Sequence, residues 1–263
     1  MGQLKSLQKL SNYIVGKQSG TRVGELRELS HIGGSLIIQE LQNVVDAKDA
    51  SEANLVGKQY LDELQLEWNP VTSHSGRNYH HYCRISKFKI PTLWSPYWRR
   101  ECCKGDVTSL HWLRIRGCPN LVSIELPALH FSNYYIRDCK NLKWLLHNAT
   151  CFQSLTIKGC PELIFPIQGL QGLSSLTSLN ISDLPNLMSL DSLELQLLTY
   201  LEKLEICDCP KLQFLTEEKL PTNLSVLTIQ NCPLLKDRCE FWTGEDWHHI
   251  AHIPRIVIDD QVL

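Results

Sequence analysis

The sequence lacks several features typical of membrane, secreted and nucleotide-binding proteins. No apolar run approaches the roughly 18 residues that a membrane-spanning helix needs, and residues 1–10 hold no apolar block resembling a secretory signal. The phosphate-binding pattern G-x-x-x-x-G-K-[ST] is absent. The formal net charge is only −2, so the composition gives no general attraction to nucleic acid. We therefore expect no membrane span and no nucleic-acid partner.

The chain also lacks a recognisable catalytic constellation. No Ser/His/Asp set or carboxylate pair stands out that could be placed with geometric support. His248 and His252 lie four residues apart, with Glu245 before them, and this spacing would put two zinc ligands on one face of a helix. Nothing like a catalytic partner cluster accompanies them, so we predict no enzyme, no cofactor and no metal. A metal-dependent hydrolase at these histidines stays as an alternative.

Cysteine, in contrast, is abundant, with 11 in 263 residues. In a chain without a secretory signal this favours reduced thiols over a disulfide framework. Several of the cysteines recur in near-copies such as LRIRGCPNL (113–121) and LTIKGCPEL (155–163). The copies define a frame, Leu-x-x-Leu-x-Ile-x-x-Cys, whose ninth position holds Cys118, Cys139, Cys160, Cys209 and Cys232.

The frame recurs at intervals of 21 to 29 residues, which is the range of leucine-rich repeats. It predicts an α/β solenoid, namely a leucine-rich-repeat horseshoe with a parallel concave sheet and an irregular, mostly non-helical convex side. Residues 1–263 are expected to form a single domain of about 11 coils, because each coil buries its apolar face only against its neighbours. A weak copy of the frame at 85–93 supplies one coil within an irregular stretch at 70–108. Residues 236–263 are predicted to form a C-terminal cap, with a short helix near 245–251.

Alternation along each short strand separates buried from exposed positions. Positions four and six point inward, as at Leu155 and Ile157. Position nine turns inward at the bend that follows the strand, where a compact cysteine fills space and can donate a weak hydrogen bond. One cysteine per coil favours this packing role over the paired ligands of a zinc site. Outside the strands, residues 44–59 have helical spacing, with Asp46 as the expected N-cap.

Positions three, five and seven point onto the concave surface, which is the usual binding face of a solenoid. Over four successive coils these positions carry six basic residues, two aromatic residues and no acidic residue. We predict that they bind a protein ligand, and the alternative is a solvated basic face without a partner. The candidate binding residues are Lys87, Lys89, Trp112, Arg114, Arg116, Asn133, Tyr135, Arg137 and Lys158.

Three stretches carry a resemblance to a known family: LSNYIVGK (10–17), the long block at 24–68, and the terminal stretch at 232–260. They resemble the C-terminal leucine-rich repeats of plant nucleotide-binding leucine-rich-repeat disease-resistance proteins of the coiled-coil class. The resemblance implies an intracellular recognition module, cytoplasmic or nuclear, that senses a pathogen effector or a modified host protein. It also implies a role in autoinhibition, through the nucleotide-binding domain of the same or a related receptor. Nothing in this sequence resembles that nucleotide-binding domain.

Two alternatives stay open at this point. Cysteine-rich repeats also occur in substrate-binding adaptors of ubiquitin ligases, although no segment here resembles an F-box. Residues 1–6 match a myristoylation pattern that would modify Gly2, but they equally fit the middle of a coil, since Leu4 and Leu7 keep the repeat spacing. The sequence names neither the ligand nor a genuine start at Met1.

Overall fold

The computed structural model contains one long sheet of short strands that follow one another as the coils of a solenoid. The sheet has 11 strands, and all neighbours are parallel except the last pair. The structure describes residues 5–18, 20–44, 46–55, 57–68, 110–119, 121–126, 132–147, 153–163, 173, 175–190, 195–216 and 219–263. Gly2 lies outside this range, as do residues 69–109.

The strands coincide with the predicted frame, and most of them span positions three to seven of a coil. The sheet order is β1-β2-β3-β4-β6-β8-β9-β10-β11-β12-β13, and β5 pairs with β7 in a separate sheet of two strands. This arrangement confirms the predicted leucine-rich-repeat fold. The strands are β1 (Asn12–Ile14), β2 (Gly33–Gln39), β3 (Tyr60–Glu67), β4 (Trp112–Arg116), β5 (Ser123–Leu126), β6 (Asn133–Arg137), β7 (Trp144–His147), β8 (Ser154–Lys158), β9 (Ser178–Ser182), β10 (Lys203–Cys207), β11 (Val226–Gln230), β12 (Arg255–Ile258) and β13 (Gln261–Val262).

Stacked side chains at positions four and six form the core. Leu113 lies opposite Tyr134, and Tyr134 lies opposite Leu155, so that equivalent positions follow one another along the sheet. All three side chains are at most 1% exposed, and Ile157 at position six of its coil is fully buried. Each such side chain contributes about 1.5–3 kcal/mol when it leaves water. The periodic core, rather than any single element, therefore holds the solenoid together.

Two neighbouring strands of the sheet are far apart in the sequence. β3 and β4 are hydrogen-bonded neighbours, although 44 residues separate them. Leu64 lies opposite Leu113 in this pair, in the same register as elsewhere in the sheet. The predicted coil at 85–93 lies outside the described residues, so the prediction of a strand there stays a prediction. Lys87 and Lys89, assigned to the concave side of that coil, lie outside the described residues.

Helices are short, as the prediction of a mostly non-helical convex side requires. Asp46 caps α1 by accepting a hydrogen bond from the Asp49 amide at 2.8 Å, which confirms the predicted cap in a helix shorter than 44–59. The predicted helix near 245–251 is also present, whereas the one that begins at Pro233 was not predicted. The helices are α1 (Ala47–Glu52), α2 (Pro233–Arg238) and α3 (Trp247–Ile250), with 3-10 helices at Val23–Glu28, Leu41–Asn43 and Leu195–Leu197.

The ninth-position cysteines are free thiols, and every one of the five is buried. The Cys160 thiol donates to the carbonyl of Lys158 at 3.5 Å, two residues before it. The Cys232 thiol repeats this bond to the carbonyl of Gln230 at 3.2 Å. The predicted role of the column is confirmed: all five cysteines fill the bend, and Cys139, Cys160, Cys209 and Cys232 donate to the last carbonyl of their strand.

A second column, at position eight, was not predicted. Its residues have φ between 52° and 70°, the left-handed region that glycine adopts freely and that Asp and Asn tolerate better than other residues. At Gly117 an added Cβ would collide with the carbonyl oxygen of Trp68. Left-handed backbone thus turns the chain out of the sheet after most of the strands. The column comprises Glu40, Gly117, Asp138, Gly159, Asp183, Asp208, Asn231 and Asp260.

Candidate functional site

The concave surface of β4, β6 and β8 brings seven of the nine predicted residues together. Arg116 lies opposite Arg137, and Arg137 lies opposite Lys158, so these three residues form a ladder of like charges across the strands. We call these seven residues the concave cluster: Trp112, Arg114, Arg116, Asn133, Tyr135, Arg137 and Lys158.

Arg114 occupies the middle of the concave cluster. Its Cζ lies 5.3 Å from the centre of the Trp112 ring and 5.7 Å from that of Tyr135. Its Nε lies 2.6 Å from Oε1 of Glu63 on β3. Each cation–π contact at a partly exposed site contributes about 0.5–1 kcal/mol. Arg114 is therefore held in place by its neighbours, while Trp112 remains 37% exposed.

Acidic side chains neutralise much of the basic surface. The Arg116 Nη1 lies 3.9 Å from Oε1 of Glu67, and its Nε lies 3.6 Å from Oδ2 of Asp138. Arg137 shares the same Asp138 carboxylate, at 3.2 Å from its Nε. Positions three, five and seven of β4, β6 and β8 hold no acidic residue, but β3 and position eight of the β6 coil supply negative charge beside them.

Glu67 is the most enclosed of these carboxylates, with 9% of its surface exposed. Its Oε2 accepts a hydrogen bond from the Gln39 amide at 2.8 Å, and its Oε1 accepts one from the Gln65 amide at 2.6 Å. Arg116 adds a cation at the same carboxylate. Hydrogen bonds to an ionised group are the stronger kind, so Glu67 ties β2, β3 and β4 together beneath the concave surface.

The two remaining cations of the ladder differ in their surroundings. The pKa of the Arg137 guanidinium is raised above its ordinary value, first by its hydrogen bond with Tyr135 and then by the negative charge of Asp138. Lys158, in contrast, forms no ion pair with any other residue that the structure describes. Lys158 is thus the cation of this surface whose charge is least compensated.

The sequence analysis did not connect the acidic residues of β3 to the basic strand beside it. The missing information was the direct pairing of β3 with β4, which places Glu63 opposite Trp112 and Glu67 opposite Arg116. Asp138 was missed altogether. The sequence does contain an indication that Asp138 is part of a regular column, because position eight of the frame holds Gly, Asp or Asn in most coils.

The histidines of the alternative metal site do not converge. The His252 Nε2 lies 3.3 Å from the carbonyl oxygen of Pro221, and the His248 ring lies beside that of His249, with centroids 3.8 Å apart. Within the described ranges, no group of three or more His, Cys, Asp or Glu side chains is placed to hold a metal ion. In the same part of the chain, no helix has the length and apolarity to cross a membrane.

The stacked parallel strands, the buried frame and the cysteine-lined bends define a leucine-rich-repeat protein. Residues 23–160 match the family model described as R13L1/DRL21 LRRs, and the chain belongs to this family. The match includes β4, β6 and β8, and hence the concave cluster.

Three relatives share shorter stretches of sequence with the chain. The putative disease resistance protein At3g14460 of Arabidopsis thaliana is 53% identical over 64 residues, which is 24% of this chain and 4% of that protein. The putative disease resistance protein RGA1 of Solanum bulbocastanum is 31% identical over 146 residues, 49% of this chain and 14% of the relative. The putative disease resistance RPP13-like protein 1 of Arabidopsis thaliana is 41% identical over 68 residues, 26% of this chain and 6% of the relative. The chain thus covers only a small part of each relative's length.

Proposed function

We propose that this chain is a protein-recognition module of an intracellular plant immune receptor, and that the concave cluster is its contact surface. The observation that carries the proposal is the arrangement of Arg114 between Trp112 and Tyr135. Tryptophan, tyrosine and arginine are the residues that dominate protein-binding hot spots. Here they lie in register on two adjacent strands of the face that solenoids use for binding.

The ion pairs refine the kind of contact that we propose. Because Glu63, Glu67 and Asp138 balance most of the positive charge, long-range attraction of an acidic partner contributes little. Arg114 is held by its neighbours before a partner arrives, so binding loses less side-chain entropy. We propose a partner that packs an apolar group on Trp112 and Tyr135 and places a hydrogen-bond acceptor near Lys158.

The role in immunity rests on the family and on the relatives, whose names describe disease resistance. In such a receptor, this module would sense a pathogen effector or a modified host protein in the cytoplasm or nucleus. It would also restrain the receptor through the nucleotide-binding domain of the same or a related protein. Both steps require a protein partner and no catalytic residue, so we propose no enzymatic activity.

The experiment measures binding of the chain to the nucleotide-binding domain of a disease-resistance relative by calorimetry. Trp112→Ala is expected to weaken binding by roughly 2 kcal/mol, as truncation of a central aromatic anchor does. Thr228→Ala, on the concave side of β11, is the matched control and should change binding by less than about 0.5 kcal/mol. Absence of binding by the wild-type chain, or equal losses in the two variants, would contradict the proposal.

A further inference from the structure

Three aromatic side chains cluster on the surface of the C-terminal cap. The Phe241 ring lies 4.8 Å from that of Trp247 and 5.6 Å from that of Trp242, edge to face in both pairs. Trp242 is nonetheless 75% exposed and Phe241 is 48% exposed. Large side chains in such contacts usually bury most of their surface, so this cluster contributes less to the core than its size would allow.

Close contacts connect the two ends of the loop that carries the cluster. Arg238 donates from Nε to Oδ2 of Asp246 at 3.0 Å and from Nη2 to Oδ1 at 2.6 Å. This pair of bonds joins the two ends of the loop between α2 and α3. Gly244 packs so closely that an added Cβ would collide with the carbonyl oxygen of Arg238. The loop therefore holds the aromatic rings in a fixed position.

The backbone of Trp242 is strained within this loop. Its φ of 62° lies in the left-handed region, where a bulky side chain is an outlier. Glycine would adopt this conformation without strain. A strained, exposed tryptophan gives the fold no evident benefit, and such residues concentrate at binding sites.

The surroundings of the cluster are acidic. Residues 236–260 contain six acidic and three basic residues, and two of the cations, Lys236 and Arg238, are engaged in ion pairs. No ion pair within the described cap neutralises Asp237 or Glu240. Exposed indole faces beside uncompensated carboxylates favour a cationic ligand.

We propose that the cluster of Phe241, Trp242 and Trp247 binds an arginine- or lysine-bearing segment of a partner protein. The cationic side chain packs on the exposed face of Trp242, and the neighbouring carboxylates attract the rest of the segment. This surface precedes β12 in the chain and shares no residue with the concave cluster. The two surfaces can therefore be tested independently.

The test measures binding of a fluorescently labelled oligoarginine peptide to the whole chain at physiological ionic strength, with an oligoglutamate peptide as the negative control. The wild type is expected to bind only oligoarginine. Trp242→Ala should weaken this binding at least about tenfold. Tyr200→Ala removes another exposed aromatic side chain, 62% exposed, and should leave binding unchanged.

Trp242→Gly separates binding from folding. Because glycine relieves the left-handed strain, this variant should keep or raise the melting temperature while it loses oligoarginine binding. Glu240→Gln should weaken binding less than Trp242→Ala and reduce its dependence on salt. The proposal is overturned if the wild type does not bind oligoarginine, or if both Trp242 variants bind it as well as the wild type does.

Discussion

The two halves of the concave sheet have the same buried frame and very different surfaces. In the N-terminal half, position seven holds Glu67 on β3 and Arg116, Arg137 and Lys158 on β4, β6 and β8, and ion pairs cross between these coils. In the C-terminal half, from β9 to β11, position seven is uncharged: it holds Ser182, Cys207 and Gln230. The core positions are equally buried in both halves. The frame therefore determines the fold, and the positions between the core residues are free to specialise.

The largest expected effect tests whether the cysteine column is equivalent in the two halves. Cys160→Lys and Cys209→Lys should each destabilise the protein by about 4 kcal/mol or more, because each buries a charge without a partner. Asn at the same positions should cost far less, since it also fits the bend and can donate a hydrogen bond. Urea unfolding gives the free energies. A large cost in only one half would show that the coils are not equivalent.

A smaller effect tests the N-terminal half of the sheet, from β3 to β8, alone. Sequence alone suggests that breaking the ladder of like charges would stabilise the protein slightly. The structure reverses this expectation, because Arg116 and Arg137 both pair with Asp138. Changing both arginines to Glu should destabilise the protein by about 1 kcal/mol, since exposed ion pairs contribute little individually.

The matched control for that double variant is Lys158→Glu, which breaks no ion pair with a described residue. It should change the unfolding free energy by less than about 0.5 kcal/mol. If the control costs as much as the double variant, the ion pairs around Asp138 do not stabilise this half of the sheet.

The smallest effect concerns the C-terminal half, from β9 to β11, at alkaline pH. Burial, and then the negative charge of Glu205, raise the pKa of Cys207 from 9.0 to about 11. Between these values the thiol ionises in the unfolded chain but not in the folded one, so stability is complete below pH 9 and falls as the pH rises towards 11. Cys207→Ser should show a smaller alkaline loss than the wild type in urea midpoints measured from neutral to alkaline pH. Identical curves would mean that Cys207 titrates as an exposed thiol does.

Sequence reasoning predicted the repeated elements well, because each depends on local spacing. The buried positions four and six, the cysteine bend and the Asp46 cap all follow from residues close together in the chain. Pairing between coils was harder to predict. Periodicity alone does not show that β3 and β4, which are 44 residues apart, are direct neighbours in the sheet.

The concave cluster was predicted in its composition but not in its electrostatics. Periodicity places Arg114 between Trp112 and Tyr135 on one surface, which the register confirms. It does not say which carboxylates reach the arginines, because that depends on the neighbouring strand and on the left-handed Asp138. Cap contacts such as Arg238 with Asp246 follow no repeat, so periodicity carries no signal for them.

The direct pairing of β3 with β4 also has a consequence for the assembly of the sheet. The connection of 44 residues compares with 16 residues between β4 and β6. If both connections are treated as flexible chain, which gives an upper bound, closing the longer one costs only about 0.9 kcal/mol more free energy than closing the shorter one. Burial of one leucine offsets that amount. A long connection between neighbouring strands therefore slows the formation of their contact more than it weakens that contact. We expect the β3–β4 contact to form late in folding.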